Sequence, residues 1–277
     1  MTAMHERLKL SNRIRLHGVV VFETGWRIGS GQEGQTLSDL GVMLSADGSP
    51  LLPGSSLKGK LRSTAETLAD ALNLKACMLD FGASQVRCAS DVDLYRESMH
   101  DQHLQLQQNS PLEKRLQWIE QNTCDVCKLF GSPLQAGRLR IGDGRLDPES
   151  WPGVVQVRDS VVIDRDSQTA VDGLKFDYEV VPPGARFRLQ IDLENPADRE
   201  LALLGAALFD WAAGFSIGGF TSRGLGRARL DEVQLQGVDF SDAQQKRKYL
   251  TNVRPEAKWT DLGDWETYFQ TCIEPFV

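Results

Sequence analysis

The sequence has little that would take it out of water. No apolar run approaches the roughly 20 residues needed to cross a bilayer, and Met1 to Leu10 is polar and charged. No secretory leader is expected there, so a cytoplasmic location follows. A surplus of basic charge is also missing. The net charge is −7 over 277 residues, which argues against a freestanding, sequence-independent nucleic-acid binder. Histidine is scarce, and His5, His17, His100 and His103 form no evident acid–base pair. Five cysteines are an odd number for a disulfide framework, so metal binding or plain burial is expected of them.

What remains is an ordinary globular composition, 41% hydrophobic and 25% charged, enough for one large domain or two small ones. The basic residues are clustered. Lys58, Lys60 and Arg62 form one group; Arg138, Arg140 and Arg145 form another. The first group lies in Leu52-Pro-Gly-Ser-Ser-Leu-Lys-Gly-Lys-Leu-Arg62. A second glycine-bearing stretch is Ile217-Gly-Gly-Phe-Thr-Ser-Arg-Gly-Leu-Gly-Arg227. Flexible backbone beside Arg or Lys, next to a helix, suits an anionic ligand such as a phosphate chain.

Periodicity divides the chain. Residues 13–23 alternate as a strand, and 29–48 form a long Gly/Ser/Gln/Asp-rich loop with a short strand at Val42–Leu44. Ser55 or Ser56 is expected to cap a helix whose Leu57, Leu61, Ala65, Leu68 and Leu72 share one face. Residues 74–135 are polar, hold four of the five cysteines and read as an insertion with a small helix at 112–119. Val154–Ile163 is a strand, and 164–178 a projecting hairpin or loop. Arg186–Leu193 alternates strictly, as a half-exposed strand does. A second amphipathic helix runs from Leu201 to Phe215, the glycine-rich loop follows, and a last strand spans Leu225–Leu235. The tail from about Gly237 carries little signal. The order strand, helix, strand, strand, helix, strand predicts an α+β fold with a ferredoxin-like (RRM-like) βαββαβ core. Such a sheet presents an open face to single-stranded RNA in RNA-recognition domains.

These segments, taken in order, resemble the RAMP superfamily. Within it they are most similar to the backbone subunits of type III CRISPR effector complexes. Pro53 to Arg62 and Gly218 to Gly226 carry the resemblance, with Cys124-Asp-Val-Cys127-Lys-Leu-Phe130-Gly131-Ser132. So do Arg158 to Arg165 with Ala170 and Phe176 to Val180, similar to a thumb hairpin, and Ser38-Asp39 followed by Val42. The resemblance covers roughly residues 13–235. It implies a core formed by 1–73 and 136–236, with a thumb at about 158–182. A zinc-knuckle insertion at 74–135 and a C-terminal tail at 237–277 complete the division.

It further implies a subunit that coats a CRISPR guide RNA. That subunit stacks with further backbone copies or paralogues and the large subunit, and cuts guide-paired target RNA with Mg2+ or Mn2+. Asp39 is then the catalytic residue: a loop carboxylate near the scissile phosphate can act as base toward the 2′-hydroxyl or hold a metal ion. Glu33 and Asp47 share its loop and stay as alternatives. Guide contacts fall to Gly29, Ser30, Ser55, Ser56, Lys58, Lys60, Arg62, Arg158, Arg165, Gly218, Gly219, Arg223 and Gly224. Charge-assisted bonds to phosphate carry no sequence information, which suits a subunit that accepts any guide. Thr169–Val171 would form the thumb tip.

Cys124-x-x-Cys127 has the spacing of half a zinc site. Cys77 and Cys88 complete a structural Zn2+ site, with His100 or His103 as alternative ligands; Cys272 stands apart. Two rival readings remain. One is a structural guide-binding subunit of the same complex. The other is a guide-processing RAMP endoribonuclease, which would often use a histidine that this chain lacks beside its glycine-rich loop.

Overall fold

The computed structural model describes residues 9–31, 38–77, 88–89 and 99–277, with backbone alone at 99–101 and 103. Strand β1 (Asn12–Phe22) turns Ile14, Leu16, Val20 and Phe22 inward and Arg13, Arg15 and His17 outward, the period of two that a pleated strand imposes. Helix α1 (Gly54–Leu68) buries Leu57, Leu61 and Ala65 at four-residue spacing. Its N-cap is Pro53, not a serine. The Gly54 N–H instead donates to Oδ1 of Asp143 at 2.7 Å, 89 residues downstream. Pro53 carries no side-chain acceptor, so the cap comes from tertiary structure and overturns the local Ser55/Ser56 expectation.

The cysteine-bearing segment contains α2 (Met99–Asn109), α3 (Leu112–Asn122) and α4 (Asp125–Phe130). A small hairpin of β2 (Gly131–Ser132) and β3 (Gln135–Ala136) follows, then β4 (Leu139–Ile141) and β5 (Arg145–Leu146). Strands β6 (Gln156–Ile163) and β7 (Ala170–Val180) form a separate two-stranded ribbon. Next come β8 (Arg186–Glu194), α5 (Asp198–Ala213), β9 (Phe215–Ser216), β10 (Arg227–Asp239), α6 (Ala243–Thr251), β11 (Thr260–Asp261) and α7 (Trp265–Ile273).

The main sheet is antiparallel in the order β11-β10-β1-β8-β4, with β5 also on β8 and β9 on β10. Leu16 pairs with Leu235 on one side and Ile191 on the other, which sets the register of the buried layer. One face packs on α1 and α5, where the Trp211 indole N–H donates to Thr64. The other face is polar and laced with ion pairs such as Arg15–Asp192 at 2.6 Å.

The tail is more ordered than its sequence suggested. Phe269 is fully buried against Gly205 of α5, Trp265 packs on Phe209, and Trp259 lies under the Arg15 guanidinium, 4.3 Å away. Strand β11 extends the sheet by pairing Thr260 with Gly237. Among the described residues, no helix is long and apolar enough to cross a membrane.

Candidate nucleic-acid interface and metal centre

Three segments distant in sequence meet at one end of the sheet. Past β1 the chain folds Trp26 onto Phe22, ring centroids 4.3 Å apart, and bridges it to Val181 at the foot of the β6–β7 ribbon. Arg27, next in line, is buried. Its guanidinium lies 5.9 Å from the Tyr178 ring and 5.2 Å from the Phe220 ring, and donates to the Gly41 carbonyl at 3.3 Å. Burial lowers its basicity, and Tyr178 and Glu179 work against that. Arg27 thus clamps the Asp39 loop, the ribbon base and the glycine-rich loop together.

Two glycines fix that last loop. Gly218 (φ +92°) and Gly226 (φ +77°) hold left-handed backbone, and a Cβ would overlap the carbonyl oxygens of Arg27 and Ile217 respectively. The Gly219 and Gly226 N–H groups donate to Arg27 and Gly25 carbonyls at 2.9 and 2.8 Å. Close approach here is first of all by the chain's own backbone. Gly226→Ala is expected to cost about 3 kcal/mol, from left-handed strain plus a displaced strand. At this chain length that lowers the melting temperature by about 5 °C. A melt matching wild type would contradict the tight-turn geometry.

Asp39 is exposed, and its segment lies along β7. The Asp39 N–H donates to Oδ1 of Asp177 (2.7 Å), and the Asp177 N–H donates to Oδ2 of Asp39 (3.0 Å). The Glu179 N–H donates to the Leu40 carbonyl at 3.0 Å, and the Val42 N–H to Oε2 of Glu179 at 3.0 Å. Gly29 bridges Val42, and the Ser30 N–H donates to Gly41, so both predicted contacts border the same loop. Asp47 accepts the Ser49 hydroxyl and N–H, bonds that hold it below the usual carboxylate range and commit it to a turn. Glu33 lies outside the described residues.

The ribbon projects with its apolar side chains in the open. Val157, Val161, Val162, Ile163 and Leu174 are all about half exposed, which a ribbon with no covering layer tolerates only at a cost. Arg158 stands on β6 beside Gly25, and Arg165 is in the turn that follows. Arg223 is exposed over the Phe220 ring at 5.0 Å, and Gly224 has open space around it.

Ser55, Ser56, Lys58 and Lys60 occupy the first turns of α1. Burial, then the charge of Arg62, lowers the Lys58 pKa. Arg62 itself turns inward. It pairs with Glu66 (2.9 Å) and donates to the Gly131 carbonyl (3.2 Å) and the Cys127 sulfur (3.1 Å).

That sulfur belongs to a buried cluster. The Sγ atoms of Cys77, Cys88, Cys124 and Cys127 all lie within 4.8 Å of one another, with Cys77 and Cys127 3.6 Å apart. A tetrahedron of Zn–S bonds of about 2.3 Å has edges of about 3.8 Å, so the four residues fit such an ion. Crowding splits their acidities. Bonds with Cys124, Cys127 and Cys77 pull Cys88 down, and those with Cys127, Cys77 and Cys88 push Cys124 up. Four buried thiolates without a cation would repel one another strongly. The backbones of His100 and His103 lie in α2; their side chains are outside the described residues. Cys272 is half-buried on α7.

A family model described as the RAMP superfamily matches residues 19–229. The chain belongs to the RAMP superfamily. The matched span begins within β1 and ends at the start of β10, and takes in β4, β5, β8 and β9, the ribbon and both glycine-bearing segments. The chain is also similar to a protein of Methanocaldococcus jannaschii named "CRISPR system Cms endoribonuclease Csm3". The two are 24% identical over 242 residues, covering 83% of each chain.

Four residues of this RAMP site carried no assigned role in the sequence reading: Arg27, Asp177, Tyr178 and Phe220. Each acts through a partner far along the chain, so no local spacing marks it. The available signal was position alone, next to Gly29, on the predicted hairpin, or inside the glycine-rich loop.

Proposed function

We propose that this RAMP protein is a backbone subunit of a type III CRISPR effector complex that cuts guide-paired target RNA. The observation that carries the reading is an exposed carboxylate, Asp39, docked at the foot of an exposed apolar ribbon and beside the glycine-rich loop. The ribbon is the thumb, whose apolar side chains enter the stacked bases of a guide–target duplex. Gly29, Ser30, Ser55, Ser56, Lys58, Lys60, Arg158, Arg165, Gly218, Gly219, Arg223 and Gly224 line the path of the guide backbone. Arg62 serves the metal centre first.

The core reads as ferredoxin-like. The order β10-β1-β8-β4, with α1 after β1 and α5 after β8, supports that reading. Residues 1–73 and 136–236 form this core, 74–135 the insertion and 237–277 the tail. The cysteines bind structural zinc. At the cut site Asp39 takes the proton from the attacking 2′-hydroxyl or holds a Mg2+ or Mn2+ ion, which would stabilise the leaving oxygen. Partners are the guide, the target, further backbone copies or paralogues and the large subunit, in the cytoplasm. The similarity to the archaeal endoribonuclease supports the activity.

The complex assembled on its guide is expected to cut complementary RNA when magnesium is added and to bind it uncut when magnesium is left out. Binding without cutting in either condition would make the chain a scaffold. Metal-free cutting of repeat RNA by the chain alone would make it a guide-processing nuclease.

A further inference from the structure

Among the described residues, no sequence neighbour holds the Asp39 carboxylate in place. It is exposed, and its segment contributes only isolated bridges to neighbouring strands. Its orientation comes from Asp177, 138 residues away, through the reciprocal pair in which each residue's N–H donates to the other's carboxylate. One oxygen of Asp39, Oδ2, is thereby anchored. The other, Oδ1, has no partner among the described residues. One anchored oxygen and one free is what a carboxylate needs to meet a substrate proton or ion in a fixed position. Asp177 sits on β7, the returning strand of the ribbon, flanked by Phe176 and Tyr178, whose rings pack on Phe220. The Leu40–Tyr178 bridge and the Glu179–Val42 bond continue the same docking.

We infer that Asp177 is a positioning residue for target cleavage: it ties Asp39 to the base of the ribbon, so the seating of the ribbon in the duplex sets where the Asp39 carboxylate stands. The inference rests on the reading of Asp39 as the cutting residue. Asp177 acts here by geometry, since its Oδ1 is spent on the Asp39 N–H. Shape therefore matters more than charge. Asp177→Asn keeps the acceptor and loses the charge. Asp177→Glu keeps the charge and moves the acceptor by one methylene.

The test is single-turnover cutting by the guide-loaded complex with magnesium, alongside target affinity. Asp177→Asn should cut within about fivefold of wild type. Asp177→Glu should be slower by about 30-fold or more, as a misplacement near 1 Å costs on the order of 100-fold. Target affinity should stay within about threefold in both. The reverse order of rates would overturn the inference and make Asp177 a charged participant. So would equal rates for wild type and Asp177→Glu, or equal slowing of both variants. Asp39→Asn in parallel separates the two layers. If it cuts at the wild-type rate, the reading of Asp39 has failed. If it is dead while Asp177→Glu is normal, only this inference has.

Discussion

Cys127→Ser, or withdrawal of zinc from the wild-type chain, is expected to lower the melting temperature by about 10 °C or more. The effect is large because the cluster is not peripheral. Cys77, Cys88, Cys124 and Cys127 belong to the same continuous core as Leu16, Leu61 and Leu204, and Val126, Leu129 and Phe130 of α4 pack into it. Structural zinc contributes ~10–16 kcal/mol to the folding of small zinc peptides. Even ~6 kcal/mol lost here shifts the melt by about 10 °C at this chain length. Arg62 adds to the cost. Its N–H to Cys127 offsets thiolate charge, and without the cluster that half-buried guanidinium keeps only Glu66 and the Gly131 carbonyl. Thermal melts before and after chelation, with metal content measured per chain, check this. A metal-free chain that melts with the wild type would make the cysteines simple core residues.

Most of the sheet was legible because its strands carry their own alternation. Arg186–Leu193 and the 13–23 segment read as strands and are strands, since one face of each is buried and the other is wet. The helix at Leu57–Leu68 and the one ending near Ala213 likewise show their apolar stripes. The tail was not legible. Trp265, Tyr268, Phe269 and Cys272 follow helical spacing, yet over nine residues that pattern is too short to stand out. What makes it helix is burial of Phe269 against Gly205, a contact no local window contains. The cap of α1 failed for the same reason: Asp143 arrives from a distant turn.

The candidate site divides the same way. Cys124 and Cys127 announced themselves by spacing, and Asp39 by its place in a family pattern. Arg62 read as a guide contact because it lies off the apolar stripe of α1; in the fold a tertiary neighbour, Cys127, draws it inward. Arg27 and Asp177 were silent because their work is to join segments that meet only in the fold.

The second large effect is loss of cutting on neutralising Asp39. Asp39→Asn retains an oxygen acceptor for the Asp177 N–H, so the loop stays docked and only the carboxylate charge is removed. A base that cannot take the 2′-hydroxyl proton, or a ligand that no longer holds a divalent ion, costs about 10²–10⁴-fold in rate. The exposed position of Asp39 keeps the fold out of the comparison, because a surface substitution of this kind changes stability by about 0.5 kcal/mol or less.

The most direct measurement is single-turnover cleavage of guide-complementary RNA by the assembled complex in magnesium, wild type against Asp39→Asn, with every fragment end mapped. The account predicts that the cuts assigned to this subunit vanish while guide and target remain bound. An unchanged fragment pattern at the wild-type rate would contradict it and place the cutting carboxylate elsewhere.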